Sequence, residues 1–285
     1  VDNFAIRYVG KGGTLPFVLD EEATTEDYMK NAHYEDEVTT YMKRSFTLNK
    51  WNSFVSPLAI TAAQAKQAFG DGVQVAKLVG VGGVTGKPGS IDFRTVDLTK
   101  EGTAIEAAYL YLIKPTLDGV QMDVKTDNGT VSGKMYNLGR RTLNGDLITN
   151  GTLDIKPTEG TGTTDDQVVF KGTYVKLLSS DSESKCPQAG DYVFSGGDIY
   201  HLNKANTIKG FRGWLVDYTK AGSLKFNVGD GSVTSIEEVI ANDMAGSTNN
   251  AVYTVDGVKI RDNASSLEGL PAGLYIFKGK THLVK

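Results

Sequence analysis

The chain is poor in the residues that most often carry chemistry. It has one cysteine, Cys186, three histidines and two tryptophans in 285 residues. One cysteine excludes an internal disulfide, and both reducing compartments and many bacterial secreted proteins fit that count. His33, His201 and His282 lie far apart, and none stands in a short metal-ligand spacing. No apolar run approaches the ~18 residues of a membrane-spanning helix. No block of lysine or arginine marks a nucleic-acid or anionic-membrane surface, and the net charge is only −4. The chain opens at Val1 without methionine, as a trimmed or mature form does, so a missing export signal carries little weight.

What the chain has in excess is glycine. It holds 33, well above the usual ~7%. Many sit in turn dipeptides: Asp-Gly at 71–72, 118–119, 230–231 and 256–257, and Asn-Gly at 128–129, 144–145 and 150–151. These pairs supply the positive φ of tight hairpins, so they predict many short antiparallel strands. Hydrophobic residues at 40% and charged residues at 22% place the chain in the globular range.

Alternation predicts strands at 38–48, 73–81, 91–98, 107–114, 167–178 and 208–217, and a hairpin at 192–202 about Ser195-Gly196-Gly197. Residues 117–162 read as brief polar strands between turns. One helix is predicted over Ala62–Phe69, with Thr61 as cap, Gln64 as its capping-box partner and Gly70 as the stop. A helical turn is expected near Glu26–Lys30. Four short strands are expected at 251–255, 258–261, 273–278 and 281–284. The fold class is therefore all-β: an antiparallel, jelly-roll-like β-sandwich with one short helix, then a small C-terminal β module. Residues 1–228 form the main region, with 1–37 as an N-terminal extension packed on it. Residues 229–250 read as a linker with a short helix, and 251–285 as the C-terminal module.

Two stretches carry a resemblance. VYTVDGVKIR at 252–261 and LPAGLYIFKGKTHLVK at 270–285 resemble the tail shared by many secreted Bacteroidetes proteins, the sorting domain of type IX (Por) secretion. The second runs from VLDEEAT at 18–24 through RSFTLNKWNSFVSPLAIT at 44–61, FGDGVQVAKLVG at 69–80, IEAAYLYLIKPT at 105–116 and DYVFSGGDIYHL at 191–202 to IKGFRGWLVD at 208–217. It is similar to an uncharacterised β-rich module of Bacteroidetes surface proteins. The resemblance implies secretion or attachment at the outer-membrane surface of a Gram-negative cell. It transfers no catalytic residue.

Each short motif fails at a named residue. Gly80–Lys87 lacks the first glycine of a phosphate loop, where Val81 stands, and Pro88 follows Lys87. A dinucleotide fingerprint fails at Thr85. His33 beside Glu35, Asp36 and Glu37 reads as a solvated acidic loop. Asp123–Gly129 has lysine at the second ligand position of a calcium loop and no closing glutamate, so it reads as a turn. Cys186 has no histidine near it in sequence, and Ser195 lacks the glycine that a nucleophile elbow needs two positions earlier. Trp51, Trp214 and the thirteen tyrosines would supply a sugar-stacking platform if exposed, but strand-core burial accounts for both tryptophans.

The expectation is a non-enzymatic, secreted or cell-surface module that binds, adheres or builds structure. It needs no cofactor or metal, and its partner is a glycan or another surface protein. A carbohydrate-binding module is the alternative reading. A glycan hydrolase, with two carboxylates about 5–10 Å apart in a cleft, is the third.

Overall fold

The computed structural model describes residues 15–30, 32, 34, 37–84, 87–143, 152–156, 168–180, 185–218, 225–228, 232–234, 252–254, 259–261, 266–271, 273–277 and 280–284. The chain divides into two compact units, Val1–Val239 and Ile240–Lys285.

The first unit opens with β1 (Phe17–Asp20), α1 (Asp27–Lys30), β2 (Val38–Lys43), β3 (Asn52–Val55) and β4 (Ile60–Thr61). Then come α2 (Ala62–Phe69), β5 (Gln74–Val84), β6 (Lys87–Thr95), β7 (Thr103–Ile105) and β8 (Leu110–Lys114). The hairpin β9 (Val120–Thr126) and β10 (Gly129–Arg141) precedes β11 (Thr152–Ile155) and β12 (Val168–Thr173). A second hairpin, β13 (Tyr192–Ser195) and β14 (Asp198–His201), leads to β15 (Arg212–Asp217), β16 (Lys225–Val228) and β17 (Ser232–Thr234).

These strands form three main sheets, ordered β1-β2-β10-β9, β11-β12-β15-β13-β14 and β17-β16-β6-β5-β8-β3, plus the small pair β4-β7. The fold is all-β and sandwich-like. Most pairings are antiparallel, but β1 runs parallel to β2 and β16 parallel to β6. Parallel neighbours need a crossover rather than a hairpin, so turn dipeptides could not announce them. Residues 17–20, expected in an N-terminal extension, are an integral edge strand. Ser232–Thr234, expected in a linker, pair with β16; the helix expected beyond them lies outside the described residues.

Helix α2 forms where the capping signals put it. The Gln64 amide donates to Thr61 Oγ1 at 3.2 Å, and the Thr61 amide donates to Gln64 Oε1 at 3.0 Å. Gly70 ends the helix at φ 100°, a conformation that favours glycine. The helix buries Ala62, Ala65, Ala68 and Phe69.

The six-stranded sheet is covered on both faces. Strand parity sends Val55, Leu110, Leu112, Phe93 and Phe226 to one face and Phe54, Tyr111 and Ile113 to the other. On the first face lie Tyr192, Phe194, Phe170 and Leu215 of the five-stranded sheet, with Phe194 5.5 Å from Phe226 and 6.3 Å from Phe93. The sheets approach so closely that a Cβ on Gly213 would stand 2.5 Å from Leu110 Cδ1 and 3.4 Å from Val55 Cγ2. On the second face, Phe54 meets Phe69 of α2 at 5.8 Å, and Phe69 meets Tyr136 of β10 at 5.4 Å. One apolar core therefore runs through all three sheets and α2.

Where the sheets meet, β3 is the edge of the six-stranded sheet. Its Val55 amide donates to the Phe211 carbonyl at 3.1 Å. Arg44, 2% exposed, donates from Nη1 to the same carbonyl at 2.7 Å and from Nη2 to the Ser53 carbonyl. Phe211 sits at φ 60°, unusual for a bulky side chain. The Arg44 guanidinium stacks on Phe46 at 4.3 Å and Phe54 at 5.1 Å.

Its counter-charge is Glu21, just past β1. Glu21 accepts from the Ser45 amide and hydroxyl at 3.1 and 2.8 Å and pairs with Arg212 at 2.7 Å and Lys209 at 3.3 Å. Glu22 pairs with Lys176 at 2.7 Å and Lys209 at 2.6 Å. Burial alone would raise the Glu21 carboxyl, but Arg212, the Ser45 hydroxyl, Arg44 and Lys209 outweigh it and hold it below the ordinary range. Bonds from Lys176 and Lys209 hold Glu22 at about 2.

The second unit contains β18 (Val252–Thr254), β19 (Lys259–Arg261), β20 (Gly273–Phe277) and β21 (Lys280–Val284), an antiparallel sheet ordered β19-β18-β20-β21. Val252 and Tyr275 are its buried apolar pair, packed with Leu267, Leu270 and Val284.

Carboxyls depressed in the folded state stabilise it above their unfolded pKa and lose that contribution as pH falls through the folded value. Unfolding free energy, measured by urea titration, should therefore drop as pH is lowered from about 5 to about 2. The double variant Glu21→Gln, Glu22→Gln should flatten that slope. An unchanged slope would remove these carboxyls from the acid transition.

Candidate functional site

The five-stranded sheet turns one face to the core. Its other face carries Asp154 of β11, Lys171 of β12 and Trp214 of β15 in a single register row. Trp214 packs with Val193, Leu202 and Ile208 beneath the segment that connects the strands. Beside this patch the outer face opens into a cleft of about 560 Å³. Thr152, Asp154, Lys171 and Val216 form its floor, the 185–191 loop forms a wall, and Tyr218 stands at its edge, 61% exposed.

The wall is fixed by its own bonds. The Gly190 amide donates to the Leu202 carbonyl at 2.7 Å, and Leu202 returns a bond to Asp191 at 2.8 Å. The Asn206 amide donates to the Pro187 carbonyl at 2.9 Å. The Gln188 side chain reaches back to the Cys186 carbonyl at 2.8 Å and its sulfur at 3.2 Å.

Three carboxylates, Asp154, Asp191 and Asp217, contribute to the lining of this cleft. Asp191 is buried and accepts the Gln188 amide at 2.8 Å and a bond from Trp214. Burial pushes its carboxyl above the ordinary range, although the Gln188 amide, Lys171, His201 and Trp214 offset part of that rise. Asp154 pairs with Lys171 at 3.0 Å. Asp217 ends β15 with the parity of the core-facing residues and is buried. The cleft thus presents a lysine, the Asp154 carboxylate, an amide and a phenol, while the buried Asp191 already serves protein donors.

The residues singled out from sequence fall as follows. Trp214 is 1% exposed and offers no stacking face. Trp51 is half-buried against the core, with the Lys114 ammonium 6.0 Å from its ring. The two tryptophans therefore do not form a shared exposed platform; Tyr218, which follows the apolar run of β15, is the exposed aromatic at the cleft. Gly80 and Lys87 lie in the paired strands β5 and β6, while Thr85 and Gly86 lie outside the described residues. Asp123 is in β9, and the Thr126 hydroxyl closes the turn by donating to the Gly129 carbonyl at 2.8 Å. Ser195 pairs with Asp198 at the β13–β14 turn. Cys186 is buried. His201 packs on Tyr192 with ring centres 4.7 Å apart, and the His282 backbone is in β21. His33, Glu35 and Asp36 lie outside the described residues, whereas Glu37 is exposed, 3.8 Å from Arg140. Among the described residues no three histidines, cysteines or carboxylates gather as a metal site, and no helix is long and apolar enough to cross a membrane.

Comparison with family models, with curated proteins and with solved structures gives no match.

If Asp191 is a fixed acceptor, its bonds matter more than its charge. Asp191→Asn keeps a carbonyl acceptor and should cost less than about 1 kcal/mol by denaturant titration at pH 7. Asp191→Ala leaves the Trp214 and Gln188 donors unmet and should cost about 2 kcal/mol. Equal losses would show that the charge itself is required.

Proposed function

We propose that this chain is a non-enzymatic binding module of an exported, cell-surface protein, and that the cleft on the outer face of the five-stranded sheet receives its ligand. The observation that carries the reading is the state of the cleft's acids. Asp191 is committed to Gln188 and Trp214, Asp154 to Lys171, and Asp217 is buried with the parity of the core-facing residues. A hydrolase would need one acid free to protonate a leaving group and a second facing it across the substrate. Rigid strands floor the cleft and a bonded loop walls it, so its polar groups are held in place before a ligand arrives.

The cell-surface location is part of the same proposal. It rests on the resemblance of Val252–Lys285 to a secretion tail.

Within this reading, a carbohydrate ligand is favoured by one feature. The exposed Tyr218 lines the same cleft as Lys171, Asp154 and Gln188. A flat apolar face next to several hydrogen-bonding groups matches the mixed surface of a sugar ring.

A glycan array probed with the full chain, followed by calorimetry on the best binder, tests the proposal. Tyr218→Ala and Lys171→Ala should each weaken binding about tenfold, or about 1.4 kcal/mol, without altering the fold. An array with no binder would remove the carbohydrate reading. Release of reducing sugar during the incubation, abolished by Asp191→Asn, would overturn the non-enzymatic one.

A further inference from the structure

A second, smaller hollow of about 230 Å³ lies where the buried arginine reaches the β13–β14 turn. Arg44, Ser45, Thr47, Ser53, Ser195 and Arg212 contribute to its lining. This site is separate from the cleft of the proposed function and does not rest on it.

Charge is not balanced here. In the bonded network around Arg44, the cations Arg44, Arg212, Lys209 and Lys176 meet two carboxylates, Glu21 and Glu22. The carboxylates lie on the β1 side and do not line the hollow, whereas both arginines do. Arg44 Nε is buried with no hydrogen-bond partner among the described residues. A buried donor without an acceptor on a fully buried cation is costly. An anion in the hollow would offset the excess positive charge beside this unmet donor.

We propose that this hollow is a binding site for a small oxyanion: a carboxylate, sulfate or phosphate, free or as the acidic group of a larger ligand. Arg44 and Arg212 supply the charge. The hydroxyls of Thr47 and Ser195 stand at the exposed side, and the volume accommodates a single acidic group. Arg212 is held by the Gly210 carbonyl at 3.2 Å, the Ser45 carbonyl at 3.3 Å and Glu21, so its guanidinium is in place before the anion enters.

The test uses the full chain at constant ionic strength, with chloride as the reference. Sulfate, phosphate, acetate and glucuronate are titrated separately while thermal unfolding is followed. Glucuronate against acetate separates a sugar-borne carboxylate from a free one. At least one probe should raise the midpoint by roughly 3 °C at a concentration about tenfold above its Kd. Ser195→Asp places a carboxylate at the exposed side without touching the core. By the same charge balance it should not lower the midpoint in chloride, and it should raise the anion's Kd about tenfold, cutting the rise at that anion concentration to roughly 1 °C. No midpoint rise with any of the four anions, or a rise that Ser195→Asp leaves intact, would overturn the proposal.

Discussion

The structure depends on how one buried strand edge is satisfied. An edge strand carries a row of unpaired amides and carbonyls, and in a dry interior each needs a partner. β3 is such an edge. Among the described residues it is not extended by another strand; the Arg44 guanidinium and the Phe211 carbonyl meet its Ser53 carbonyl and Val55 amide instead. The Phe211 carbonyl accepts from both Arg44 and Val55, which explains why this residue holds a left-handed conformation that costs about 1–2 kcal/mol. A cation buried this deeply requires compensation, and Glu21 supplies part of it from beyond β1. The first sheet, the edge of the central sheet and β15 are thereby fixed to one another through a few polar bonds.

With that junction set, the rest follows from strand parity. The central sheet is apolar on both faces because each is covered, one by the five-stranded sheet and the other by α2 and β10. Gly172 and Gly213 lack side chains where the two large sheets press together, since a Cβ on either would meet Val55 or Leu110. The five-stranded sheet spends one face on this core. Its other face is left for Trp214, the covering loop and the cleft, whose floor is as rigid as the sheet that bears it.

Local signals were legible in the sequence. The capping box of α2, the turns at Asn128-Gly129 and Ser195-Gly196-Gly197 and the four C-terminal strands all depend on neighbours within a few residues. The burial of Trp214 could be read from its apolar strand. The junction could not. Arginine ordinarily reads as an exposed residue, and the Arg44 bond to Phe211 spans 167 positions. The parallel pairings β1–β2 and β6–β16 leave no turn signature. The cleft joins residues from four chain segments between 152 and 218, and its anchor, Asp191, reads from sequence as an ordinary loop acid. Tyr218 was hidden among thirteen tyrosines, because exposure at the end of a strand is set by what packs beside it.

The most direct test of this account is a double-mutant cycle on Arg44→Met and Glu21→Gln, read by urea denaturation at pH 7. Removing Glu21 takes away the counter-charge of a buried guanidinium, and removing Arg44 leaves the buried Phe211 and Ser53 carbonyls without that donor, so each should cost about 3 kcal/mol. If the two charges compensate each other across the junction, the double variant should lose at least about 2 kcal/mol less than the sum of the single losses. Additivity within about 0.5 kcal/mol would contradict the claim that these two opposite charges act together at the junction.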